Sequence, residues 1–314
     1  MKAVVIGGGG AFGAITIGNA SKLDKDYDYV LGVSTGAIMS VLFALKKWDK
    51  LKEAYTTSKN DYIYNIYPFN KKGDLKIYLA VWRSIMGYVS IGEMKPILAL
   101  VRKWLSEDDY LELKDSGKTV IIALLNVTTG RVEYKYSNDH DYWEFTEYIA
   151  AASCPELLGN LWNINGWEYA DSGLATLVPI VKATKLPVDD IDIYIHREFK
   201  RDVKNSQILD MKVGALPRLF MFSMRIIKAI FRYILIQREN LEYKEQREGI
   251  LRALIKGKKV TCYYLDSMFR KHNAMVMDSK IMKSMYDYGF RNGMNKFEYN
   301  LENWEGLFDP QDDE

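Results

Sequence analysis

Short apolar segments alternate with amphipathic ones along the first part of the chain. Residues 3–6 predict a buried strand, and an apolar helix of small residues follows from about Ala11 to Leu23. Residues 29–33 predict a second buried strand, and a second helix runs from Ala37 to Lys47. Strands that alternate with helices at this spacing form a parallel sheet with crossover helices. We therefore expect an α/β protein with a three-layer α/β/α fold and a mostly parallel central sheet.

The chain departs from this alternation between residues 55 and 110. Aromatic side chains are frequent there, and helical patterns occupy 74–87 and 93–105, so the segment predicts an insertion or cap over the sheet. The aromatic residues of 62–88 could line a groove or form a lid. Large aromatic side chains are more often core residues, and we favour that interpretation.

Strand patterns return after this segment. Residues 119–125 and 131–136 predict two strands joined by a Thr-Gly turn, and residues 191–195 predict another. We expect one domain over residues 1–297. Residues 298–314 carry seven acidic residues and no Lys or Arg, which predicts a solvated acidic tail.

Composition narrows the classes of function. Charged residues make up 27% of the chain and the net charge is +2, which argues against a nucleic-acid-binding protein. The two cysteines, Cys154 and Cys262, and the three histidines do not follow metal-ligand spacing. We predict a reducing compartment, no disulfide framework, no metal and no cofactor. Because no signal peptide or membrane span is evident, we expect a cytoplasmic protein.

The first candidate for chemistry is a G-x-S-x-G motif formed by Gly32, Ser34 and Gly36. It lies between a predicted strand and a predicted helix, where a serine on a strained turn projects its hydroxyl from the carboxyl edge of the sheet. The motif therefore indicates a nucleophile. The alternative is that Ser34 simply caps the following helix, with glycines that permit the turn.

The second candidate is the glycine loop that follows the first strand. Consecutive glycines such as Gly8, Gly9 and Gly10 can aim several N–H groups at one anionic atom, either an oxyanion or a dinucleotide pyrophosphate. The dinucleotide interpretation requires an acidic residue at the end of the second strand. The nearest acid, Asp28, lies at the beginning of that strand and Ser34 follows its end, which favours an oxyanion hole.

The third candidate is Asp171, in an Asp-Ser-Gly sequence that ends at Gly173. Together, the three motifs resemble the signature of the patatin-like phospholipases. Residues 125–130 are similar to that family's strand–turn, residues 150–155 to its Ala-Ser-Cys-Ala-Ile-Pro segment, and residues 166–173 to the hairpin that carries its aspartate. The resemblance covers residues 3 to about 181.

The resemblance implies a role for each matching residue. Ser34 would attack an ester carbonyl, and Asp171 would take the serine proton directly, as a dyad without histidine. Backbone N–H groups would hold the oxyanion, and calcium would not be required. The oxyanion glycines would be Gly8, Gly9 and Gly10, and the glycines supporting the motifs would be Gly13, Gly32, Gly36 and Gly173.

Two residues depart from the family pattern. Phe12 occupies a position where the family usually has Arg or Lys, so any help from that cation in shaping the loop or receiving a phosphate is absent. This difference bears on phospholipid preference more than on catalysis. Ser172 replaces the glycine that usually follows the aspartate and could alter the turn that carries the base.

His196 offers an alternative catalytic arrangement. It follows a predicted strand and lies downstream of Asp171, in the chain order of a Ser-Asp-His hydrolase. We favour a surface histidine at a strand end, because the family resemblance supplies a dyad.

A basic stripe on an apolar helix is predicted at residues 213–240. Arg218, Arg225, Lys228 and Arg232 share one face of that helix, as in helices that bind anionic membranes. We therefore expect peripheral contact with a membrane surface. An ordinary core helix with a basic solvent face explains the pattern equally well.

The sequence thus predicts a serine esterase of the phospholipase A type. It would cleave carboxylic esters of phospholipids or related acyl lipids through an acyl-serine intermediate. Two alternatives stay open. One is a nucleotide-binding protein that uses the loop from Gly8 to Gly13, and the other is a catalytically silent family member that binds membranes.

Overall fold

The computed structural model describes residues 1–70, 75–156, 158–197 and 243–304. Within these ranges the strands of the main sheet are β1 Lys2–Ile6, β2 Tyr29–Gly32, β3 Thr119–Asn126, β4 Arg131–Tyr136, β5 Trp162–Ile164, β6 Trp167–Asp171, β7 Asp190–Ile195, β8 Lys259–Tyr264 and β9 Asn295–Tyr299. The helices are α1 Gly13–Leu23, α2 Thr35–Ala44, α3 Trp48–Thr57, α4 Asn60–Ile63, α5 Ile77–Ile85, α6 Ile97–Trp104, α7 Glu107–Asp115, α8 Tyr142–Ala152, α9 Ile180–Ala183, α10 at 243–255 and α11 Ser279–Asn292.

A single mixed sheet organises the described residues. Its strand order is β5-β6-β3-β2-β1-β7-β8-β9, and β4 pairs with β3 off this path. The central strands β3, β2, β1, β7 and β8 are parallel, whereas β4, β5, β6 and β9 pair in antiparallel fashion. The carboxyl ends of the parallel strands therefore meet at one edge, where ligands of open α/β sheets bind.

Both faces of the sheet are buried. Successive residues of β1 alternate between two cores: Val4 and Ile6 face one, and Ala3 and Val5 face the other. The first core packs against helices that include α1, α2, α8 and α11, and the second packs against α9 and α10. Helices on both faces of a mostly parallel sheet confirm the predicted three-layer α/β/α fold.

The predicted central strands are confirmed, but some predicted boundaries are wrong. Helix α2 begins at Thr35 rather than Ala37, and it ends at Ala44 because Lys46 adopts the left-handed region with φ 57°. The boundary predicted at residue 298 falls inside β9, where the Tyr299 ring is buried and its hydroxyl lies 2.6 Å from that of Tyr264.

Two predicted segments have different outcomes. The described residues of 55–110 form helices, turns and isolated β-bridges, and they add no strand to the main sheet. The basic helix predicted at 213–240 lies outside the described residues. Among the helices that are described, none is long and apolar enough to cross a membrane.

His196 is buried, so the prediction of a surface histidine is wrong. It follows β7 directly and is only 6% exposed. Its Nε2 lies 2.7 Å from the Thr16 hydroxyl of α1, and its Nδ1 lies 3.3 Å from the Gly8 carbonyl oxygen. Burial disfavours the charged imidazolium and lowers the pKa of His196 to about 4. The imidazole is therefore a neutral part of the core.

This burial makes stability depend on pH. The unfolded chain protonates His196 near its ordinary pKa of about 6.5, whereas the folded chain does so near 4, so stability falls as pH drops through this window. Between pH 7 and pH 5, we expect wild type to lose about 2 kcal/mol more unfolding free energy than His196→Gln. Urea titrations at the two pH values measure the difference, and equal losses in both proteins would contradict it.

Candidate active site

Ser34 lies on a strained turn between β2 and α2. Its backbone has φ 55° and ψ −121°, a conformation that costs free energy for a residue with a Cβ. Close packing leaves no space for side chains at the flanking glycines. A Cβ at Gly32 would lie 2.4 Å from the Gly36 carbonyl oxygen, and a Cβ at Gly36 would lie 2.2 Å from the carbonyl oxygen of Ile6. The glycines thus allow α2 to begin directly against the end of β1.

The Ser34 hydroxyl does not cap α2, although Ser34 occupies the N-cap position. The capping alternative is therefore wrong. The side chain is half-buried, and its hydroxyl makes no hydrogen bond with any residue in the described ranges. Ser34 consequently presents a free hydroxyl at the amino end of a helix, whose dipole favours negative charge there.

The glycine loop lies beside Ser34, but its N–H groups are not equivalent. A Cβ at Gly8 would lie 3.1 Å from the Ser34 Cβ, so the two backbones are close neighbours. The Gly8 N–H already donates to the Leu177 carbonyl oxygen at 3.0 Å, which corrects its predicted role as an oxyanion donor. The N–H groups of Gly9 and Gly10 donate to no acceptor in the described part of the chain. They are the remaining candidates from the predicted set.

Contacts from other elements hold the loop in this shape. Gly10 has φ 52°, and a Cβ there would lie 2.1 Å from the Ala274 carbonyl oxygen, which also accepts the Ala11 N–H at 2.8 Å. A Cβ at Gly9 would lie 2.5 Å from the His196 ring. Larger residues cannot replace these glycines without moving the loop. Phe12, which replaces the cation usual in the family, is buried in the first core.

Asp171 reaches the same edge of the sheet on the opposite side of Ser34. It ends β6 and pairs with Leu124 of β3, while Gly32 of β2 pairs with Ile122. Ser34 follows β2 and Asp171 ends β6, and β3 lies between these two strands in the sheet. A substrate bound between them could contact both side chains.

Residues 153 and 154 connect the two candidates. The Ser153 hydroxyl donates to the Ser34 carbonyl oxygen at 3.2 Å, and the Cys154 carbonyl oxygen accepts the Asp171 N–H at 2.9 Å. Ser153 and Cys154, which belong to the predicted 150–155 segment, thus hold the Ser34 turn and the end of β6 in position. Asp171 is 5% exposed, and its Oδ1 accepts the Gly173 N–H at 2.8 Å.

Ser172 has a structural role that the sequence did not indicate. Its side chain is fully buried, and its hydroxyl lies within 3.2 Å of the Ala123 carbonyl oxygen and 3.3 Å of the Thr176 carbonyl oxygen. These contacts anchor the turn after Asp171 to β3. The departure from the family's glycine therefore adds a brace to the turn that carries the candidate base.

The Asp171 carboxylate gives its surroundings a negative potential. Burial raises the pKa of the Cys154 thiol to about 12, and the charge of Asp171 contributes to that increase. The same two causes raise the pKa of Glu156. The Asp171 carboxylate and the Ser34 hydroxyl make no hydrogen bond with each other.

The other predicted arrangements receive no geometric support. His196 follows β7, on one side of β1, and contacts Thr16 and the glycine loop. Asp171 ends β6, which lies on the other side of β1 and is separated from it by β2 and β3. A Ser-Asp-His triad is therefore ruled out. Asp28 accepts the Lys2 N–H at the amino edge of the sheet, opposite the glycine loop. Among the described residues, no three His, Cys, Asp or Glu side chains lie close enough together to hold a metal ion.

An apolar cleft opens at Ser34 and contains about 820 Å³ of empty space, including its open mouth. Ser34, Ile38 and Leu42 follow one face of α2 into the cleft, at helical spacing. Its opposite walls come from α3, α6 and the start of α11, together with residues that precede these elements. These wall residues include Leu51, Ala54, Tyr64, Met94, Ile97, Val101, Trp104, Met275, Met277 and Met282. The predicted cap segment therefore forms much of the cleft.

Comparison with known proteins gives a family match and a structural neighbour. A family model described as patatin-like phospholipase matches residues 4–183. VipD from Legionella pneumophila is a structural neighbour with 12% sequence identity and a TM-score of 0.38, over 95% of this chain and 68% of that one. No curated protein matches significantly in sequence. Because the family model spans more than half of the 314 residues and includes all three motifs, the chain belongs to the patatin-like phospholipase family.

Proposed function

We propose that this protein hydrolyses carboxylic esters of acyl lipids through an acyl-serine intermediate, with Ser34 as nucleophile and Asp171 as base. The family consists in general of lipid acyl hydrolases. The observation that carries the proposal for this chain is the position of Ser34. Its free hydroxyl stands on a strained turn in the lining of an apolar cleft, at the same edge of the sheet as the buried Asp171.

The reaction begins when the Ser34 oxygen attacks the ester carbonyl carbon and its proton passes to an Asp171 carboxylate oxygen. The N–H groups of Gly9 and Gly10 donate to the resulting oxyanion, an arrangement that lowers the barrier because the donors are already oriented. Collapse of the intermediate breaks the ester C–O bond, and Asp171 returns the proton to the departing alcohol. Water then attacks the acyl-serine in the same way and releases the fatty acid.

The cleft supports an acyl substrate because its walls are largely apolar. Ile38, Leu42, Leu51 and Val101 offer hydrocarbon surface that continues inward from Ser34. Burying an acyl chain against such surface is favourable by roughly 0.8 kcal/mol for each methylene. The polar part of the ester would stay at the mouth, beside Ser34 and Ser153.

Substitution of the two candidate residues tests the dyad. We expect Ser34→Ala to lower kcat/KM by about 10³-fold or more, because it removes the attacking oxygen. Asp171→Asn should lower it by about 10²–10⁴-fold, because an amide cannot accept the serine proton. Release of p-nitrophenol from a butyrate ester and of fatty acid from phospholipid vesicles measures both effects.

Ser40→Ala is the matched control for the nucleophile. Ser40 is a buried serine within α2, its hydroxyl donates to the Ala37 carbonyl oxygen, and it lies outside the cleft. This variant should retain wild-type kcat/KM. Full activity in Ser34→Ala would contradict the proposal. An inactive wild type that binds a nucleotide would favour the nucleotide-binding alternative, and vesicle binding without hydrolysis would favour a catalytically silent member.

The cleft predicts a dependence on acyl-chain length. Ala54 of α3 is part of its wall, so Ala54→Phe adds a ring where an acyl chain would lie. We expect kcat/KM to fall at least about tenfold for palmitoyl esters and to change little for acetyl esters. Acetyl ester hydrolysis is the internal control for folding. Unchanged kcat/KM for both esters would show that the acyl chain binds elsewhere.

A further inference from the structure

Large apolar side chains are exposed together on the cap segment. Each is more than half exposed, and together they form the apolar patch: Tyr78, Trp82, Ile85, Met86, Tyr88 and Val89. The other exposed large apolar residues of the described ranges stand singly along the chain, which is normal for a folded protein. A concentration of them in one short segment marks an interaction surface. The prediction that the aromatic residues of 62–88 belong to the core is therefore wrong for the three rings of the patch.

Helix α5 is amphipathic in the reverse of the usual sense. Tyr78, Trp82 and Ile85 follow one another at intervals of four and three residues, so their exposed side chains share one side of the helix. Arg83, on another side, is only 3% exposed. A surface helix ordinarily turns its charges to water and its apolar stripe to the core. The reversed orientation leaves apolar surface in water, and its removal from water is favourable.

The contacts of Arg83 fix this orientation. Its Nε donates to the Ser90 carbonyl oxygen at 2.7 Å, and its guanidinium lies 3.3 Å from a Glu93 carboxylate oxygen. The Tyr88 ring also lies over the guanidinium, 4.2 Å from the ring centroid. Rotating α5 to bury the patch would break these contacts and separate a buried ion pair, which is costly.

The composition of the patch matches a lipid bilayer surface. Trp and Tyr rings are favoured at the level of the lipid headgroups, and aliphatic side chains are favoured in the acyl region below. Residues 75–92 include Lys76 and Arg83 and no acidic residue, so no carboxylate in this segment repels lipid phosphates. Helix α5 has nine residues, too few to cross a bilayer, so it would lie on the surface.

A protein partner fits this surface less well. Protein–protein interfaces carry about ten hydrogen bonds on average and have a polar rim. Among the exposed residues of 78–89, only Ser84 has a side chain that is neither apolar nor aromatic. The patch therefore offers few groups that could bond to a protein, whereas the acyl region of a bilayer requires none.

The patch is connected to the wall of the cleft. The Lys76 N–H at the start of α5 donates to the Pro68 carbonyl oxygen at 2.8 Å. Glu93, the partner of Arg83, donates its N–H to the Ile66 carbonyl oxygen at 3.0 Å and is followed directly by Met94, a cleft-wall residue. Both ends of the α5 segment are thus tied to the chain that forms part of the cleft.

We propose that the apolar patch docks on a phospholipid bilayer, with its Trp and Tyr rings among the headgroups and its aliphatic side chains in the acyl region. This surface differs from the basic helix predicted at 213–240, because its binding depends on burial of apolar area and not on charge. The inference goes beyond the proposed hydrolysis, since docking requires no turnover.

Vesicle binding by Ile85→Asp tests the surface. Vesicles of an ether-linked phosphatidylcholine have no net charge and no ester to hydrolyse, and NaCl at about 1 M shortens the Debye length to about 3 Å, which suppresses binding through a basic stripe. We expect wild type to sediment with these vesicles. Ile85→Asp should bind at least about tenfold more weakly, because a carboxylate replaces a side chain that would enter the acyl region.

Ile255→Asp is the matched control. Ile255 is 68% exposed and Ile85 is 78% exposed, and each is the last residue of its helix, α10 and α5 respectively. The two substitutions therefore make the same change of side chain and charge at equivalent helical positions. Ile255→Asp should change the affinity for vesicles by less than about twofold, because it lies outside the patch.

Tryptophan fluorescence gives a second measurement. Lipids that carry bromine on their acyl chains quench a tryptophan that contacts them. Trp82 and Trp143 are 54% and 55% exposed, and only Trp82 belongs to the patch. We expect Trp82→Phe to abolish most of the quenching seen in wild type and Trp143→Phe to retain it.

Three outcomes would overturn the inference. The first is that wild type fails to bind the vesicles, or that Ile85→Asp and Ile255→Asp bind them equally. The second is that Ile85→Asp converts a dimer to a monomer in gel filtration without weakening vesicle binding, which would show that a second copy covers the patch. The third is that it lowers the melting temperature more than Ile255→Asp does and leaves vesicle binding intact, which would show that the chain itself covers the patch.

The proposed hydrolase function is tested separately. Ser34-dependent hydrolysis of p-nitrophenyl butyrate requires no vesicle, and sedimentation with ether-linked vesicles requires no hydrolysis. Failure of either experiment therefore leaves the other result standing.

Discussion

The close approach of α2 to the end of β1 is the constraint on which the site depends. Gly36 permits this contact, because any side chain there would overlap the Ile6 carbonyl oxygen. The contact forces Ser34 into a left-handed turn, and the first residues after β1 must then pass beside the serine. The Ser34 turn and the glycine loop are therefore two consequences of one packing arrangement. A change that relaxes it would alter both the nucleophile and the oxyanion donors.

The two sides of this arrangement are supported by different parts of the chain. Two contacts hold the glycine loop: His196 Nδ1 lies near the Gly8 carbonyl oxygen, and the Ala274 carbonyl oxygen accepts the Ala11 N–H. Ser153 and Cys154 connect Ser34 to Asp171 through the Ser153 hydroxyl and the Cys154 carbonyl oxygen, and the buried Ser172 hydroxyl anchors the turn beyond the aspartate. The chemistry proposed here thus depends on residues that would never touch a substrate. Their shared effect is to fix backbone positions on each side of one hydroxyl.

Much of the sheet and the three motifs followed from the sequence because they depend on local patterns. Continuous apolar segments predicted β1, β2 and β3. Helices α7 and α8 were not predicted, although Ser106 and Asp141 are N-cap residues that mark their starts. Strand β9 was not predicted because the acidic composition of residues 298–314 indicated a solvated tail. The burial of His196 could not be predicted, since it results from contacts between segments far apart in sequence. Local patterns predict elements, whereas the surroundings of a site depend on how those elements pack.

The most direct test of the central claim is covalent labelling with an alkyl fluorophosphonate, which reacts with activated serine hydroxyls. Intact-mass measurement would give the number of adducts, and peptide mapping would identify the modified residue. The account predicts a single adduct on Ser34 in wild type and a much slower reaction in Asp171→Asn, because the base that activates the serine is lost. No adduct, or an adduct on another serine with Ser34 unmodified, would contradict the assignment of Ser34 as the nucleophile.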